Sequence, residues 1–503
     1  MSGCCLQILL MTCAGFSAWK AMAGEATPDG NPFRAYPWFP IPDALTREQP
    51  DGALAGPASV VPPPYALFRD ADYDPAWGGP GKRSLFDEIK LIPLDRERLI
   101  YLTLGGEIRE RFEYWNNENF GVVPGMAGGN AFWLQRIMLH MDLRVGPYVR
   151  FFIQGESNLE EARKDGPRPP DVDQIDLHQA FTDITIPFSD EGWVTLRGGR
   201  QELGYGIGRL IDPREGPNVR LSFDGAKAIV RWKEWEMDAF WTRLVETEPY
   251  EFDESTSDYQ LWGVYLAGPW FFKNTGVNFY YLGDYRNEAP YFSGVEIEGR
   301  HTFGSRIYGK FGDFDFDFEG AWQTGTFGPA VISAWFGSGE IGYSFSKLFG
   351  TPHLALKADI FSGNNSQSVS SGGRMLGTFN ALFPRGNYFS EPSPLGEQNL
   401  IALHPQINWY PAPKLGLAFS PIFYWRQSMN DGIYNFAGYP LFGGALGSGR
   451  YVGTEFFFQA DYQISEQLKF SVAYDHFIIG DFFKNQPGAA NSDWVGIWAT
   501  MKF

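Results

Sequence analysis

From Tyr101 onward the chain alternates apolar and polar residues in short runs, and the connections between runs come in two lengths that take turns. In 101–115, Leu102, Leu104, Ile108, Phe112 and Tyr114 share one face, and Thr103, Glu107, Arg109, Arg111 and Glu113 share the other. In 132–146, Ile137, Leu139, Met141, Leu143 and Val145 alternate with Arg136, His140, Asp142 and Arg144. In 313–319, Phe314, Phe316 and Phe318 alternate with Asp313, Asp315, Asp317 and Glu319. Period two places the two sets on opposite sides of a strand. The pattern predicts strands at 101–115, 132–146, 148–160, 174–187, 192–203, 225–234, 236–247, 259–269, 276–285, 298–311, 313–324, 336–347, 353–362, 401–411, 414–428, 451–464, 467–480 and 492–503, eighteen in all.

Every second connection is short: Gly146-Pro147, 188–191, Lys233 to Glu236, Pro411 to Lys414, Ile464 to Gln467. The others are mostly long: 116–131, 161–173, 204–224, 248–258, 286–297, 363–400, 429–450 and 481–491. A soluble β-sandwich also alternates, but at this length it would need several domains, and no linkers separate them. Short turns on one rim and long loops on the other predict an all-β fold, a single transmembrane antiparallel β-barrel of about 18 strands in the bacterial outer membrane. The even count puts both termini on the periplasmic rim and the long loops outside. Val495, Ile497, Ala499, Met501 and Phe503 alternate to the end of the chain, and a terminal aromatic suits the interface girdle of such a barrel.

Residues 1–23 read as a secretory signal peptide. An apolar run at 5–18 is too short to span a bilayer, and Ala21-Met22-Ala23 offers a small-residue cleavage site, although no Lys or Arg precedes the run. A lipidated Cys13 is the alternative, with a poor match around it. Residues 24–95 form a Pro-rich periplasmic segment, and 96–503 the barrel. Cys4, Cys5 and Cys13 all fall in the leader, so the mature chain has neither disulfides nor thiol chemistry. Removing the leader takes away only Lys20 from the charged set and changes the net charge from −18 to −19, which disfavours nucleic acid as a partner. The six histidines sit in no HExxH motif and beside no GxSxG elbow, so the chain reads as no enzyme, with no metal-ligand motif and no cofactor. A membrane-embedded enzyme assembled from distant residues is the alternative from another class; His178 reads as a hydrogen-bonding residue of the lumen.

The most unusual stretch is Arg197 to Gly225, with five arginines and seven glycines. It is too rich in Gly for a helix, and it lies on the extracellular rim, where it can fold inward. Arginine on a pore wall selects anions, and its planar fork suits carboxylates. Candidate pore-lining or substrate-binding residues are Arg109, Arg111, Arg136, Arg144 and Arg150 on strands, and Arg200, Arg209, Arg214 and Arg220 in this stretch. The alternative is that they pair with interior acids such as Glu107, Glu113, Asp142 and Glu156. If Asp212, Glu215 and Asp224 neutralise the loop arginines, the loop is a latch and the filter lies on the strands. Loop 363–400 either folds into the mouth or stays on the surface. Trp115, Tyr205 and Tyr388 are candidates for stacking on sugar rings, with girdle and lipid-facing roles the commoner use of aromatics. The acid-rich stretches 171–176 and 246–254 suit divalent cations bridging lipopolysaccharide, or are simply solvated.

Five segments resemble the alginate-export family of outer-membrane β-barrel porins: Leu102 to Tyr114 (LTLGGEIRERFEY), Asp176 to Phe181 (DLHQAF), Arg197 to Gly225, Phe383 to Pro405 and Asp431 to Tyr434 (DGIY). The resemblance implies an eighteen-stranded barrel with an Arg-rich lumen that passes a polyanionic polysaccharide. The expected function is passive, anion-selective passage, with export as the direction, of an anionic polysaccharide such as alginate or a related oligosaccharide. The alternative within transport is a diffusion porin taking up small anionic or aromatic acids. Expected partners are the anionic saccharide, outer-membrane lipid and lipopolysaccharide, and a periplasmic secretion partner.

Overall fold

The computed structural model describes residues 99–122, 127–164, 166–365, 374–444, 449–465, 467–484 and 486–503, together with 86, 89 and 92–96. The leader 1–23 and nearly all of the Pro-rich segment 24–95 lie outside the described residues.

Eighteen long strands close into one antiparallel barrel. They are β1 (Ile100–Asn116), β2 (Gly129–Val145), β3 (Val149–Glu161), β4 (Asp173–Ser189), β5 (Gly192–Gln201), β6 (Phe223–Trp232), β7 (Trp235–Glu246), β8 (Glu254–Pro269) and β9 (Thr275–Tyr291). The circuit continues with β10 (Gly294–Phe311), β11 (Phe314–Phe327), β12 (Ala330–Ser344), β13 (His353–Phe361), β14 (Leu400–Ala412), β15 (Leu415–Arg426), β16 (Tyr451–Gln463), β17 (Leu468–Ile479) and β18 (Ser492–Lys502). Each pairs with its neighbour in sequence, and β18 closes on β1, from Asn116 opposite Asp493 to Glu107 opposite Lys502. Phe503 and Gly106 exchange two backbone hydrogen bonds, of 2.8 and 3.0 Å, at the seam. Closure leaves no sheet edge with unpaired amides, which is what allows strands to stand in hydrocarbon.

The alternation seen in the sequence decides which face is out. On β2, Leu139 and Met141 are 54% and 48% exposed, while Arg136 between the same strands is fully buried in the interior. Exposed aromatics cluster at the short turns, among them Tyr148, Phe188, Trp232, Phe271, Phe311 and Phe349. Such a continuous apolar skin would aggregate in water and is matched to lipid with an interfacial girdle.

One expected long loop is corrected. Residues 286–297 are hairpin, not loop: β9 and β10 continue to a turn at 292–293, with a bulge between Arg286 and Ala289. This hairpin rises past both neighbours, whose pairing stops at Tyr259 and Phe327. Asn287 and Glu288, both polar and exposed, lie in this bulge, so the alternation that marks strands is interrupted there. The turn at 328–329 on the same rim is equally tight. Connections 162–172, 202–222, 362–399 and 427–450 remain long, and described residues of the last three pack into the interior.

Candidate functional site: the loop-filled lumen

Loop 202–222 leaves β5 and turns into the barrel. Left-handed Gly206 and Gly208, at φ 60° and 79°, allow the sharp entry. Leu203, Leu210 and Ile211 then join the interior apolar cluster with Phe223 and Phe383. Interior arginines hold the tip of the loop. Arg109 donates to the carbonyls of Glu215 and Pro217, both at 3.0 Å, and to the Asn218 side chain at 3.2 Å. Arg136 lies 3.0 Å from Glu107 and 2.9 Å from Glu215. From the loop itself, Arg220 bonds Glu202 at 2.7 Å and lies 3.5 Å from Glu215. Burial pushes the Glu215 carboxyl up, but Arg136 and Arg220 pull it below its ordinary value, so it stays ionised.

Arg209 reaches the other wall. It is 3.0 Å from Asp317 and 2.6 Å from Glu319 on β11, and donates to the Tyr388 hydroxyl at 3.1 Å. Arg214, itself at φ 64°, donates to the Pro384 carbonyl at 3.3 Å. Arg200 stays at the rim, forked onto Asp224 at 2.9 and 3.2 Å and 3.2 Å from Asp176.

Loop 362–399 also folds inward, and the two loops interlock. Leu210 and Asp212 sandwich Phe383 with backbone bonds of 2.9 Å each, and Arg385 donates to Gly208 at 2.9 Å. At Gly386 the backbones come so close that a Cβ would stand 2.4 Å from Cδ of Pro217. Arg111 binds Glu391 of this loop at 2.8 Å, packing over Trp498 at 5.0 Å from the ring centre. Loop 427–450 seals the assembly from above: Gly396 donates to Tyr434 and Asn399 to Gly432, both at 2.8 Å. Buried ion pairs lose much of their Coulomb attraction to desolvation, and here they specify where the loops dock.

Nearer the short-turn rim the wall has a different character. Arg144 on β2 and Arg150 on β3 stand opposite each other. The same row continues through Asp183 on β4, Arg197 on β5 and Lys227 on β6. Four of its five positions are cationic. Asp142 lies 2.9 Å from Arg150 and 3.5 Å from Arg144, Asp183 grips Arg197 at 2.7 Å, and Asp238 is 3.4 Å from Lys227. The guanidinium groups of Arg150 and Arg197 lie 5.1 Å and 3.9 Å above the rings of Phe152 and Phe181, which themselves stack at 5.1 Å. Rings below and carboxylates beside them fix the guanidinium planes.

The nine expected arginines therefore separate into groups. Arg109, Arg111, Arg136 and Arg220 gather around the tip of loop 202–222, Arg209 and Arg214 join that loop to loop 362–399, and Arg200 stays at the rim. Arg144 and Arg150 belong to the cationic row. Asp224 pairs with Arg200 at 2.9 Å and Glu215 lies 3.5 Å from Arg220, so local acids do engage these two arginines, whereas Asp212 accepts the backbone N–H of Arg214 at 2.8 Å. Arg197 and Lys227 of the row were missed as site residues, although alternation with Leu196 and Ala226 marks both as interior. Trp115 packs edge-on against Trp494, Tyr205 stacks between Phe240 and Tyr265, and the Lys357 ammonium lies 3.5 Å from the Tyr388 ring centre, so each ring already has an interior neighbour. His178 bridges Glu156 and Glu202 at 2.9 and 2.8 Å within the lumen.

A closed barrel with an apolar skin, a polar interior and loops folded into its lumen from one rim is an outer-membrane channel. It resides in the bacterial outer membrane. Residues 100–496 match the alginate-export family, and the chain belongs to it. Among solved structures it is similar to OccAB1 of Acinetobacter baumannii, at 14% identity over 84% of this chain and 100% of that one, with a TM-score of 0.51. It is similar to OccD3 (OpdP) of Pseudomonas aeruginosa, at 13% identity over 80% and 91%, TM-score 0.51. It is also similar to Pseudomonas aeruginosa OpdK, solved with vanillate, at 9% identity over 80% and 98%, TM-score 0.50. At these identities the likeness establishes the fold. No curated protein matches the chain. The family and these structures are channels and porins, not enzymes.

Proposed function

We propose that the chain provides passive, anion-selective passage for an acidic polysaccharide such as alginate or a related oligosaccharide, in the direction of export. The observation that carries this reading is the row Arg144, Arg150, Arg197 and Lys227 on one interior wall. Cations backed by a low-dielectric wall concentrate anions at the entrance. The arginine fork matches a uronate carboxylate better than a halide, because two parallel N–H groups meet two oxygens. A row running across several strands offers successive carboxylates of an extended chain more than one resting place, each partly neutralised and therefore easy to leave.

Planar-bilayer recording in a KCl gradient tests this. The parent is expected to show an anion-side reversal potential and block by oligouronate added from the periplasmic side. Replacing Arg144, Arg150 and Lys227 together by Gln shifts the reversal potential toward cations and weakens the block. Cation selectivity of the parent, or an unchanged reversal potential in the triple variant, would refute the row as the filter. A second reading, uptake of small anionic or aromatic acids, is favoured by the interlock of loops 202–222 and 362–399, which narrows the lumen. Block by benzoate-type acids without block by oligouronate would select it.

A further inference from the structure

We propose that the extracellular rim carries a divalent-cation site, suited to Ca2+, built from Asp173 and Asp176 of β4, Asp253 of the connection 247–253 and the side-chain oxygen of Asn158 on β3. The three aspartates place carboxylate oxygens within 4.8 Å of one another. Asp173 is only 1% exposed, and neither of its carboxylate oxygens has a hydrogen-bond partner. Directly opposite it in register stands Asn158, fully buried. The Asn158 amide donates to Glu156 at 2.7 Å, which leaves its oxygen without a partner as well. Burying a carboxylate and an amide oxygen with nothing to bind is strongly unfavourable, and a cation between them satisfies both.

The neighbouring groups shape the site without filling it. Asp176 accepts from Arg200 at 3.2 Å and from the backbone N–H of Asp253. Asp253 accepts the Glu248 amide at 2.6 Å on one oxygen, and its own carbonyl takes Arg200 at 3.0 Å. Arg200 is itself balanced by Asp224 at 2.9 Å. His178, between Glu156 and Glu202, has both ring nitrogens engaged. One guanidinium, shared between Asp176 and Asp224, faces three clustered aspartates, so the cluster keeps a surplus of negative charge. All the available ligands are hard oxygens, which selects an alkaline-earth ion over a transition metal. Ligands drawn from a strand end and a loop give an irregular shell, which Ca2+ tolerates and Mg2+ does not.

Occupancy would tie connection 247–253 to β4. The adjacent loop 162–172 carries the loop that enters the lumen, since Pro170 accepts from Val219 at 2.9 Å and Asp171 from Asn218 at 3.0 Å. The ion thereby stiffens the wall on which loop 202–222 is hung.

The test uses the full chain, refolded in lipopolysaccharide-free detergent and stripped with EDTA. CaCl2 titration by calorimetry is expected to show one saturable site with a Kd on the order of 0.1–1 mM or tighter, the range of extracellular calcium modules. The thermal midpoint should be higher in CaCl2 than in EDTA. Asp173→Asn weakens binding by about tenfold or more and removes the thermal difference, because it takes one charged ligand from a small set. If Asp173→Asn fails to refold, Asp253→Asn in the outer connection carries the same expectation, while Glu251→Gln, an acid outside the cluster, leaves binding unchanged. No saturable binding, or binding that survives both Asp substitutions, overturns the proposal.

Discussion

Arg209→Met removes the grip of loop 202–222 on the far wall while keeping side-chain length. Arg209 is 3% exposed, 3.0 Å from Asp317 and 2.6 Å from Glu319, and it donates to Tyr388 at 3.1 Å. Burial works against its charge, but Tyr388, Asp317 and Glu319 more than offset this and raise its pKa well above the ordinary value. The acids left behind are not stranded: Asp317 keeps Arg306 at 2.8 Å, and Glu319 keeps the Tyr280 hydroxyl at 2.9 Å. The loss therefore falls below the roughly 3–5 kcal/mol of a stripped buried pair. Charge-assisted hydrogen bonds of about 2 kcal/mol net are the relevant figure. At about 1.4 kcal/mol per decade, this multiplies the undocked population of the loop roughly thirtyfold. Single-channel recording reads that as brief excursions to higher conductance and greater open-channel noise. Ion selectivity stays close to the parent, because Arg144, Arg150, Arg197 and Lys227 are untouched. Arg209→Lys, which keeps one charge but not the fork, lies between. A variant with parent-like conductance and noise but a shifted reversal potential would refute the argument, since Arg209 would then be meeting the permeant ion and not holding the loop.

Gly386→Ala tests the interlock from the other side. Its Cβ would stand 2.4 Å from Pro217, an overpacking of about 1–3 kcal/mol, and trypsin should cleave after Arg209 or Arg214 faster than in the parent; equal digestion rates would count against the contact. Glu397 is 1% exposed with neither carboxylate oxygen bonded, and burial pushes its pKa up to about 8. Because the docked state holds this proton and a solvated glutamate releases it near pH 4.3, docking of loop 362–399 loses stability as pH rises from there through about 8, and then levels off. Open-channel noise should climb over that window, and Glu397→Gln should flatten the dependence; a parent insensitive to pH would remove the basis for it.

Much of the barrel is legible because its signals are local. Leu139 and Met141 against His140 and Asp142 declare a face within four residues, and the turn at 146–148 against the loop at 117–128 declares a rim. Near the tip of the β9–β10 hairpin the signal fails, since the bulge between Arg286 and Ala289 breaks the period of two at the polar pair Asn287 and Glu288. The candidate site is less legible. Alternation puts Arg109, Arg136 and Arg150 inside with equal force, yet Arg109 and Arg136 meet a folded-in loop and Arg150 joins a row with Arg144.

By itself the sequence determined the strand period, the parity of the connections, the side from which the loops depart and the residues that face the lumen. These follow from a two-residue backbone repeat and from connection length, which the chain states in order. Only the tertiary structure decided what each interior charge meets. Arg109 and the carbonyl of Glu215 are 106 residues apart, Arg209 and Asp317 108, and Arg111 and Glu391 280. Those meetings depend on the path of loops 202–222 and 362–399 through the lumen, set by close packing such as Gly386 on Pro217 and not by any local repeat. The convergence of Asp173, Asp176 and Asp253 has the same origin, because it needs a rim connection laid across the end of a strand.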